Sequence, residues 1–174
     1  MGKLWGAPLQ AQGGGTAIRK SFFALAAWLM LAYALSAPAV ASTAAPAEEQ
    51  VTLVVSKKRH TLTVYVNETP VRTFRVATGK GNLTPEGEFT IANKIVNPWY
   101  LPKKIPGGDK RNPFGTRWLG LAVPNTGGYR YGIHGTNRPH SIGYSVSSGC
   151  IRMRNPDVEW LYRHIPVGTP VTIQ

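Results

Sequence analysis

The chain of 174 residues contains one cysteine, Cys150, in the run Ser147-Ser148-Gly149-Cys150-Ile151-Arg152-Met153. A histidine lies upstream, in the run His134-Gly135-Thr136-Asn137. A lone cysteine is either an intermolecular bridge or a free thiol kept for its reactivity. An imidazole that takes the thiol proton makes the sulfur far more nucleophilic. The pattern therefore predicts that Cys150 and His134 form a nucleophile–base pair, with an inert buried cysteine as the alternative.

The residues beside this pair supply the other groups that acyl transfer would need. The imidazole must be held in one tautomer by a carboxylate or a backbone carbonyl, and the carbonyl of Gly135 is the nearest candidate. A glycine before the nucleophile lets the backbone approach a substrate closely. We expect the N–H groups of Gly149 and Cys150 to donate to the oxyanion of a tetrahedral intermediate.

Arg152 follows Cys150 by two residues, so the two side chains lie on the same side of a strand. Its guanidinium is suited to bidentate contact with a carboxylate. The alternative is a structural ion pair with Asp157 or Glu159. No acidic residue lies between Asp109 and Asp157, so a carboxylate partner for the histidine would have to come from a distant part of the chain.

The amino terminus has the features of an export signal. A basic pair precedes the apolar run Phe22–Leu35, and Ala39-Val40-Ala41 forms a small-residue cleavage site. This order predicts a signal peptide over residues 1–41. The apolar run is short for a membrane span of about 20 residues, although an uncleaved anchor stays an alternative. Residues 42–50 carry no periodicity and are predicted to be a linker.

The formal net charge is +12, which indicates an anionic partner unless the domain is simply basic. Nucleic acid is disfavoured because the basic residues occur in short scattered groups and no helix-turn-helix pattern is present. One cysteine cannot build the usual cysteine-rich zinc site. We expect no cofactor and no metal.

Runs rich in β-branched and alternating residues predict a mainly β domain, a sandwich or barrel. The predicted strands are Val51–Val55, Thr61–Val66, Val71–Ala77, Gly87–Ile95, Trp118–Val123, Tyr131–His134, Cys150–Met153 and Pro170–Ile173. Hairpin turns are predicted over 56–60 and 67–70, and the segment 78–86 is too rich in glycine and proline for a helix.

One late helix is predicted over Pro156–Ile165, with Asn155 as its N-cap. The apolar positions Val158, Leu161, Tyr162 and Ile165 recur at helical spacing and should face the core. A long loop over 97–117 is expected to lie over the site. Within it, Trp99 and Tyr100 either stack on a ligand or close the edge of the domain.

These runs together resemble the L,D-transpeptidase catalytic domain, also called the YkuD domain. The resemblance rests on His134–Asn137, on Ser141-Ile142-Gly143 and on the run from Ser147 to Met153. Upstream, Val71–Lys80 and the turn Thr84-Pro85-Glu86-Gly87-Glu88-Phe89 are similar to the family's strand and turn. The likeness covers residues 51–174, the whole predicted domain.

The resemblance implies a β-rich fold and a cysteine acyltransferase. It assigns Cys150 as nucleophile, His134 as acid and base, and Gly135 as the residue that orients His134 through its carbonyl. It places four further residues at the substrate: Arg152, Ser147, Gly149 and Asn137.

The resemblance also implies a reaction on peptidoglycan outside the cytoplasmic membrane, in the periplasm or cell wall. The cysteine attacks the third residue of a stem tetrapeptide, D-alanine leaves, and an amine of another stem or of a wall-anchored protein resolves the thioester. An L,D-carboxypeptidase that uses water, or a non-catalytic wall-binding module, stays an alternative. The chain carries no recognisable wall-binding repeat, and Ser148 stands where some branches have a histidine.

Overall fold

The structure is a computed structural model that describes residues 49–174. The predicted signal peptide over 1–41 and most of the predicted linker over 42–50 lie outside the described residues. Gln50, at the end of that linker, already exchanges hydrogen bonds with Asn67, donating to its Oδ1 at 2.9 Å and accepting from its N–H at 3.0 Å. Within 49–174, no helix is long and apolar enough to cross a membrane.

The described residues form ten strands and one α-helix, so the predicted mainly β fold with one late helix is confirmed. The strands are β1 (Val51–Ser56), β2 (Thr61–Val66), β3 (Thr69–Arg75), β4 (Thr78–Gly79), β5 (Gly87–Val96), β6 (Arg117–Leu121), β7 (Gly132–His134), β8 (Ser145–Ser147), β9 (Ile151–Arg152) and β10 (Pro170–Ile173). The helix α1 covers Asn155–His164.

Eight of these strands form one curled sheet in the order β3-β2-β1-β10-β5-β6-β7-β9. The pairs β1–β10 and β7–β9 are parallel and the other pairs are antiparallel. The last strand, β10, lies between β1 and β5. The first and last strands of the described chain are therefore neighbours in the middle of the sheet. A separate parallel pair, β4–β8, lies beside it.

The core lies between the sheet and α1, which packs on β6 and β7. The predicted helix face is confirmed, since Val158, Leu161 and Ile165 are almost completely buried and Tyr162 packs against the same cluster. The other buried residues of the cluster lie on the sheet strands or directly after them: Leu53, Val55, Leu62, Val64, Phe74, Val76, Ile91, Leu119, Leu121, Ile133, Ile151, Met153, Val171 and Ile173.

The second hairpin is tighter than predicted. Val66 pairs with Thr69, so the turn consists of Asn67 and Glu68 alone, both with positive φ (48° and 64°). Two left-handed residues are typical of the two-residue turn that matches strand twist. Pro70 therefore lies within β3, which it can do because β3 is an edge strand. β3 ends at Arg75, short of the predicted end at position 77.

The predicted N-cap of α1 is wrong. Arg154 occupies the capping position and no side chain caps the first turn. The side chain of Asn155 points away from its own helix, and its Oδ1 accepts a hydrogen bond from the N–H of Thr136 at 3.1 Å. An asparagine before a proline has the composition of a cap, but tertiary packing gives its amide another partner. The strands β4 and β8 also escaped prediction because two or three residues show no periodicity.

The buried face of α1 predicts a large cost for truncation. Leu161 is fully buried, so we expect Leu161→Ala to lower the free energy of unfolding by about 2–5 kcal/mol. Leu101 is 74% exposed, and the same change there should cost less than about 0.5 kcal/mol. Urea unfolding of both variants measures this. Equal losses at the two positions would contradict the assignment of the core.

Candidate active site

The parallel strands β7 and β9 carry the residues that were predicted to react. Ile133 pairs with Ile151, and both side chains are fully buried in the core. His134 pairs with Arg152 at the next position, so both project from the opposite face. Cys150 immediately precedes Ile151, and because successive side chains point to opposite faces, its side chain lies on the same face as those of His134 and Arg152. The register therefore brings His134, Cys150 and Arg152 to one side of two neighbouring strands.

The imidazole of His134 is held on several sides and is only 3% exposed. Its Nδ1 lies 2.6 Å from the carbonyl oxygen of Gly135, which can only accept. The neutral ring therefore carries its proton on Nδ1 and leaves the lone pair on Nε2. The Trp118 ring stacks on it at 5.6 Å between centroids, and the edge of Phe114 meets it at 5.0 Å.

Burial between these rings lowers the pKa of His134 to about 4. The Gly135 carbonyl opposes this shift, the positive charge of Arg152 adds to it, and the Phe114 carbonyl opposes it. Desolvation dominates because a charged imidazolium loses its hydration in an apolar pocket. The histidine is consequently neutral near pH 7 and able to accept a proton.

The thiol of Cys150 is also in its neutral form. Burial raises its pKa, and a backbone contact at Gly132 and the charge of Arg152 offset only part of that shift. The Sγ atom lies 3.5 Å from the carbonyl oxygen of Arg130. No hydrogen bond joins Sγ to His134 in the described part of the chain. The two groups lie on adjacent strands as an uncharged pair, with the thiol proton directed at a backbone carbonyl.

The backbone before the nucleophile forms a tight turn closed by Ser147. Its buried Oγ donates to the carbonyl of Cys150 at 2.5 Å and accepts from the N–H of Gly149 at 3.1 Å. The hydroxyl of Ser147 is thus used inside the turn. The N–H of Gly149 is occupied as well, whereas the N–H of Cys150 has no acceptor among residues 49–174. Only the second of the two expected oxyanion donors is available.

Glycine is required at position 149 for two reasons. Its φ of +124° is a conformation that other residues rarely adopt. An added Cβ would also lie 2.7 Å from the Tyr131 ring and 2.9 Å from the Leu83 carbonyl oxygen. Glycine at this position lets the turn before Cys150 pack directly on Tyr131, just before β7, and on Leu83, in the segment after β4.

The long loop over 97–117 is braced by Asn112, which is 1% exposed. The amide of this side chain donates to the carbonyls of Pro98 (2.7 Å) and Pro106 (3.1 Å), and its Oδ1 accepts from the N–H of Phe114 at 2.9 Å. The bracing places Phe114 against the histidine. Asn137, expected at the substrate, donates its side-chain N–H to the carbonyl of Arg111 at 2.9 Å and so ties this loop down.

The two loop aromatics take different positions. Tyr100 packs its ring edge-on against Phe114 at 5.2 Å, which favours the packing alternative for this residue. Trp99 is 59% exposed and lines an apolar cavity of about 240 Å³ together with Leu101 and Tyr129. Trp99 is therefore accessible to a ligand in this apolar cavity, and Tyr100, besides packing on Phe114, lines the separate cavity that contains Arg152.

Asn155 joins the helix to the active-site segment. Its Oδ1 accepts from Thr136 and lies where Cβ atoms on Gly115 and Gly135 would collide with it, at 2.2 Å in both cases. Gly135 is therefore required by close packing, in addition to any role of its carbonyl beside His134. This contact fixes the end of the long loop, the residue after the histidine and the start of α1 in one place.

Arg152 lines a cavity of about 250 Å³ that also contains Thr136, Asn137 and three other basic residues: Lys103, Arg111 and Arg138. The predicted alternative of an ion pair with Asp157 or Glu159 is not observed among residues 49–174. The same part of the chain contains no cluster of three or more His, Cys, Asp or Glu side chains placed to hold a metal ion.

Four functional contacts escaped the sequence analysis: Phe114, Trp118, Asn155 and Arg138. The sequence predicts a strand that begins at Trp118, but only the register of that strand on β7 places Trp118 opposite His134. Register was not predictable because the ten residues between β6 and β7 form an irregular connection. Arg138 follows directly after the motif His134–Asn137, which was the available signal.

Comparison with known proteins identifies a family for this chain. The model of the L,D-transpeptidase catalytic domain matches residues 50–173. YqjB of Bacillus subtilis, which carries the name of an L,D-transpeptidase, is 48% identical over 122 residues, covering 70% of this chain and 69% of that protein. YkuD of Bacillus subtilis, similarly named, is 45% identical over 122 residues, covering 70% and 64%.

Solved structures agree with these matches. An L,D-transpeptidase from Mycobacterium smegmatis is similar with a TM-score of 0.55 and 27% identity, over 72% of this chain and 59% of that one. The structure of LD transpeptidase LdtMt1 in complex with imipenem is similar with a TM-score of 0.55 and 25% identity, over the same shares. The present chain thus spans about three fifths of each solved chain.

The depressed pKa of His134 predicts acid sensitivity of the fold. An unfolded imidazole titrates near 6.5 and the folded one near 4, so between these values only the unfolded chain gains the proton. We expect the free energy of unfolding to fall by about 3 kcal/mol as the pH drops from 7 to 4. Urea unfolding across this range measures the slope. His134→Gln should flatten it, while His140→Gln at an exposed position controls for the substitution. An unchanged slope in His134→Gln would contradict the burial effect.

The contact between Asn155 and Thr136 predicts a local weakness when it is removed. Thr136 is 4% exposed, so Asn155→Ala leaves its N–H buried without an acceptor, at a cost of about 1–3 kcal/mol. Amide exchange of Thr136 should quicken in Asn155→Ala, and Asn155→Asp, which keeps an acceptor oxygen, should retain slow exchange. Equal exchange in wild type and Asn155→Ala would show that the contact does not hold the segment.

Proposed function

Because this chain belongs to the L,D-transpeptidase catalytic domain family, we propose that it is a cysteine-dependent L,D-transpeptidase acting on peptidoglycan stem peptides. The observation that carries the proposal is the common face of β7 and β9, where His134, Cys150 and Arg152 lie together. The contact of His134 Nδ1 with Gly135 supports it, since that contact leaves Nε2 free to act as a base.

In the first half-reaction, Sγ of Cys150 attacks the carbonyl carbon of the third stem residue, diaminopimelate. His134 takes the thiol proton at Nε2 as the carbon–sulfur bond forms. The carbonyl oxygen becomes an oxyanion, which the N–H of Cys150 stabilises. Collapse breaks the peptide bond, His134 returns the proton to the departing amine, and D-alanine leaves a thioester behind.

Because the Cys150 thiol and the His134 imidazole are both neutral in the resting enzyme, charge develops on them only during the attack on the substrate. Since burial disfavours the thiolate and the imidazolium, an isolated thiolate would be costly in the resting enzyme. The proton moves when the substrate carbonyl is present to accept the electron pair. The positive charge of Arg152 favours the negative charge that then develops beside Cys150.

In the second half-reaction, an amine of another stem or of a wall-anchored protein attacks the thioester carbon. His134 takes the proton of the attacking amine and gives it to the departing sulfur, so Cys150 is restored as a thiol. The product is an amide bond between the carbonyl of the donor's third residue and the acceptor's amine nitrogen, which is an L,D cross-link when the acceptor is another stem. We place this reaction outside the cytoplasmic membrane, with residues 1–41 as the export signal. A chain of net charge +12 suits an anionic wall.

The test is acylation and turnover of the purified protein. Incubation with a stem tetrapeptide and an amine acceptor should release D-alanine and yield a cross-linked product. Cys150→Ala should abolish both, and His134→Gln should lower the rate of D-alanine release by about 10²–10⁴-fold. Intact-mass analysis after exposure to imipenem should show one adduct of the whole drug on wild type and none on Cys150→Ala.

Alkylation by iodoacetamide at neutral pH is a poor substitute for this test. The raised pKa of Cys150 makes its thiolate scarce near pH 7, even in an active enzyme. Cys150→Ser, which keeps the size of the side chain, controls for packing. Release of D-alanine that persists in Cys150→Ala would refute a cysteine nucleophile. Product without any dependence on the amine acceptor would show a hydrolase.

A further inference from the structure

Two arginines of the site line the same cavities without an acidic partner. Arg152 and Arg138 both line the cavity of about 250 Å³ described above, and both also line a second cavity of about 330 Å³ with His140 and Tyr144. Both arginines are therefore shared by the two cavities. Their proximity is evident in Arg152, whose pKa is lowered chiefly by burial and further by the charge of Arg138.

Nothing acidic compensates this charge in the described part of the chain. The ion pairs within 49–174 are Lys57–Glu86 and Arg111–Asp109. The second pair accounts for Arg111, whose guanidinium lowers the pKa of the partly buried Asp109 to about 2. No Asp or Glu lines either cavity. Arg138, Arg152 and Lys103 are left as like charges around one space, an arrangement that is unfavourable until an anion enters.

The backbone that presents Arg138 is rigidly held by buried polar residues. Its N–H donates to Oγ1 of Thr136 at 3.0 Å. Its carbonyl accepts from the hydroxyl of Ser141 at 2.7 Å and from the N–H of Ser141 at 3.0 Å. Arg152 is fixed by reciprocal backbone bonds with Ala77, both 2.9 Å. The points from which both side chains extend are therefore fixed, which lowers the ordering cost of binding an anion between them.

We propose that Arg138 is a specificity-determining residue that, with Arg152, binds a free carboxylate of the donor stem and thereby selects carboxylate stems over carboxamide stems. This inference rests on the proposed function, because its ligand is the donor of that reaction. A guanidinium binds a carboxylate through two parallel N–H donors. A carboxamide offers one acceptor oxygen and no charge, and it also turns N–H groups toward an arginine that can only donate.

The donor stem has three free carboxylates: on D-glutamate, on the side chain of diaminopimelate and on the terminal D-alanine. The shared chemistry is a carboxylate close to the scissile bond, and the experiment distinguishes which one binds. Four tetrapeptide donors are needed, the parent and three in which one carboxylate at a time is converted to the carboxamide. D-alanine (or its amide) released per unit time gives kcat/KM for each donor.

The variants are Arg138→Gln, which removes the charge, and Arg138→Lys, which keeps it. We expect Arg138→Gln to lower kcat/KM for the parent donor by about tenfold or more, as for loss of a hydrogen bond to a charged group. For one carboxamide donor the same variant should have no further effect, because its partner is already missing. Arg138→Lys should retain part of the selectivity. Arg163→Gln, on the exposed last turn of α1, is the matched control and should equal wild type.

A binding measurement separates this inference from the proposed function. In a Cys150→Ala background, titration calorimetry with the parent donor and the carboxamide donors reports affinity without turnover. Binding that depends on a donor carboxylate and is lost in Cys150→Ala/Arg138→Gln supports the inferred site. If the wild-type protein nevertheless releases no D-alanine, the proposed function alone is refuted. Turnover in which Arg138→Gln slows all four donors equally, or none, overturns the inference and leaves the function standing.

Discussion

The parallel pairing of β7 with β9 is the interaction on which the site depends. Ile133 and Ile151 are paired and fully buried, so the hydrophobic core determines which face of each strand turns inward. A slip of β9 by one residue would turn Ile151 out of the core and point Arg152 into it, away from His134. The energy that holds the reactive residues in register is therefore the burial of their apolar neighbours, and the hydrogen bond from the N–H of Met153 to the carbonyl of His134 at 2.8 Å extends the same pairing.

Aromatic packing then decides the protonation state of the pair. Trp118 lies across Gly132, whose missing side chain leaves room for the indole, and reaches the imidazole of His134. Phe114 closes the other side because Asn112 braces the loop that carries it. The rings remove water from the imidazole, which keeps the histidine neutral. Partial burial likewise keeps the thiol of Cys150 protonated, and the nearby Arg152 favours the negative charge that the reaction creates.

The unpaired basic residues are the chief exception to a well-satisfied structure. Arg138 and Arg152 face the same cavities while the described acidic partners lie elsewhere. The backbone of Arg138 is fixed by Thr136 and Ser141, so this exposed side chain extends from a defined point at the rim of the cavity. Like charges held together in this way cost stability, and functional sites are where such costs are concentrated.

The sequence by itself determined the longer strands, the late helix and the fold class, and it predicted the pair of Cys150 and His134, because each depends on local periodicity or on residue types within a short run. It also indicated Gly135 as the partner of the imidazole, since no acidic residue is close in sequence. Only the tertiary structure decided the register of β6 on β7 and the packing of Phe114 and Trp118 on His134. It also decided the hydrogen bond of Asn155 to Thr136 and the placement of Arg138 and Arg152 at the same cavity. These contacts join segments separated by irregular connections, and no local pattern encodes which side chains such connections bring together.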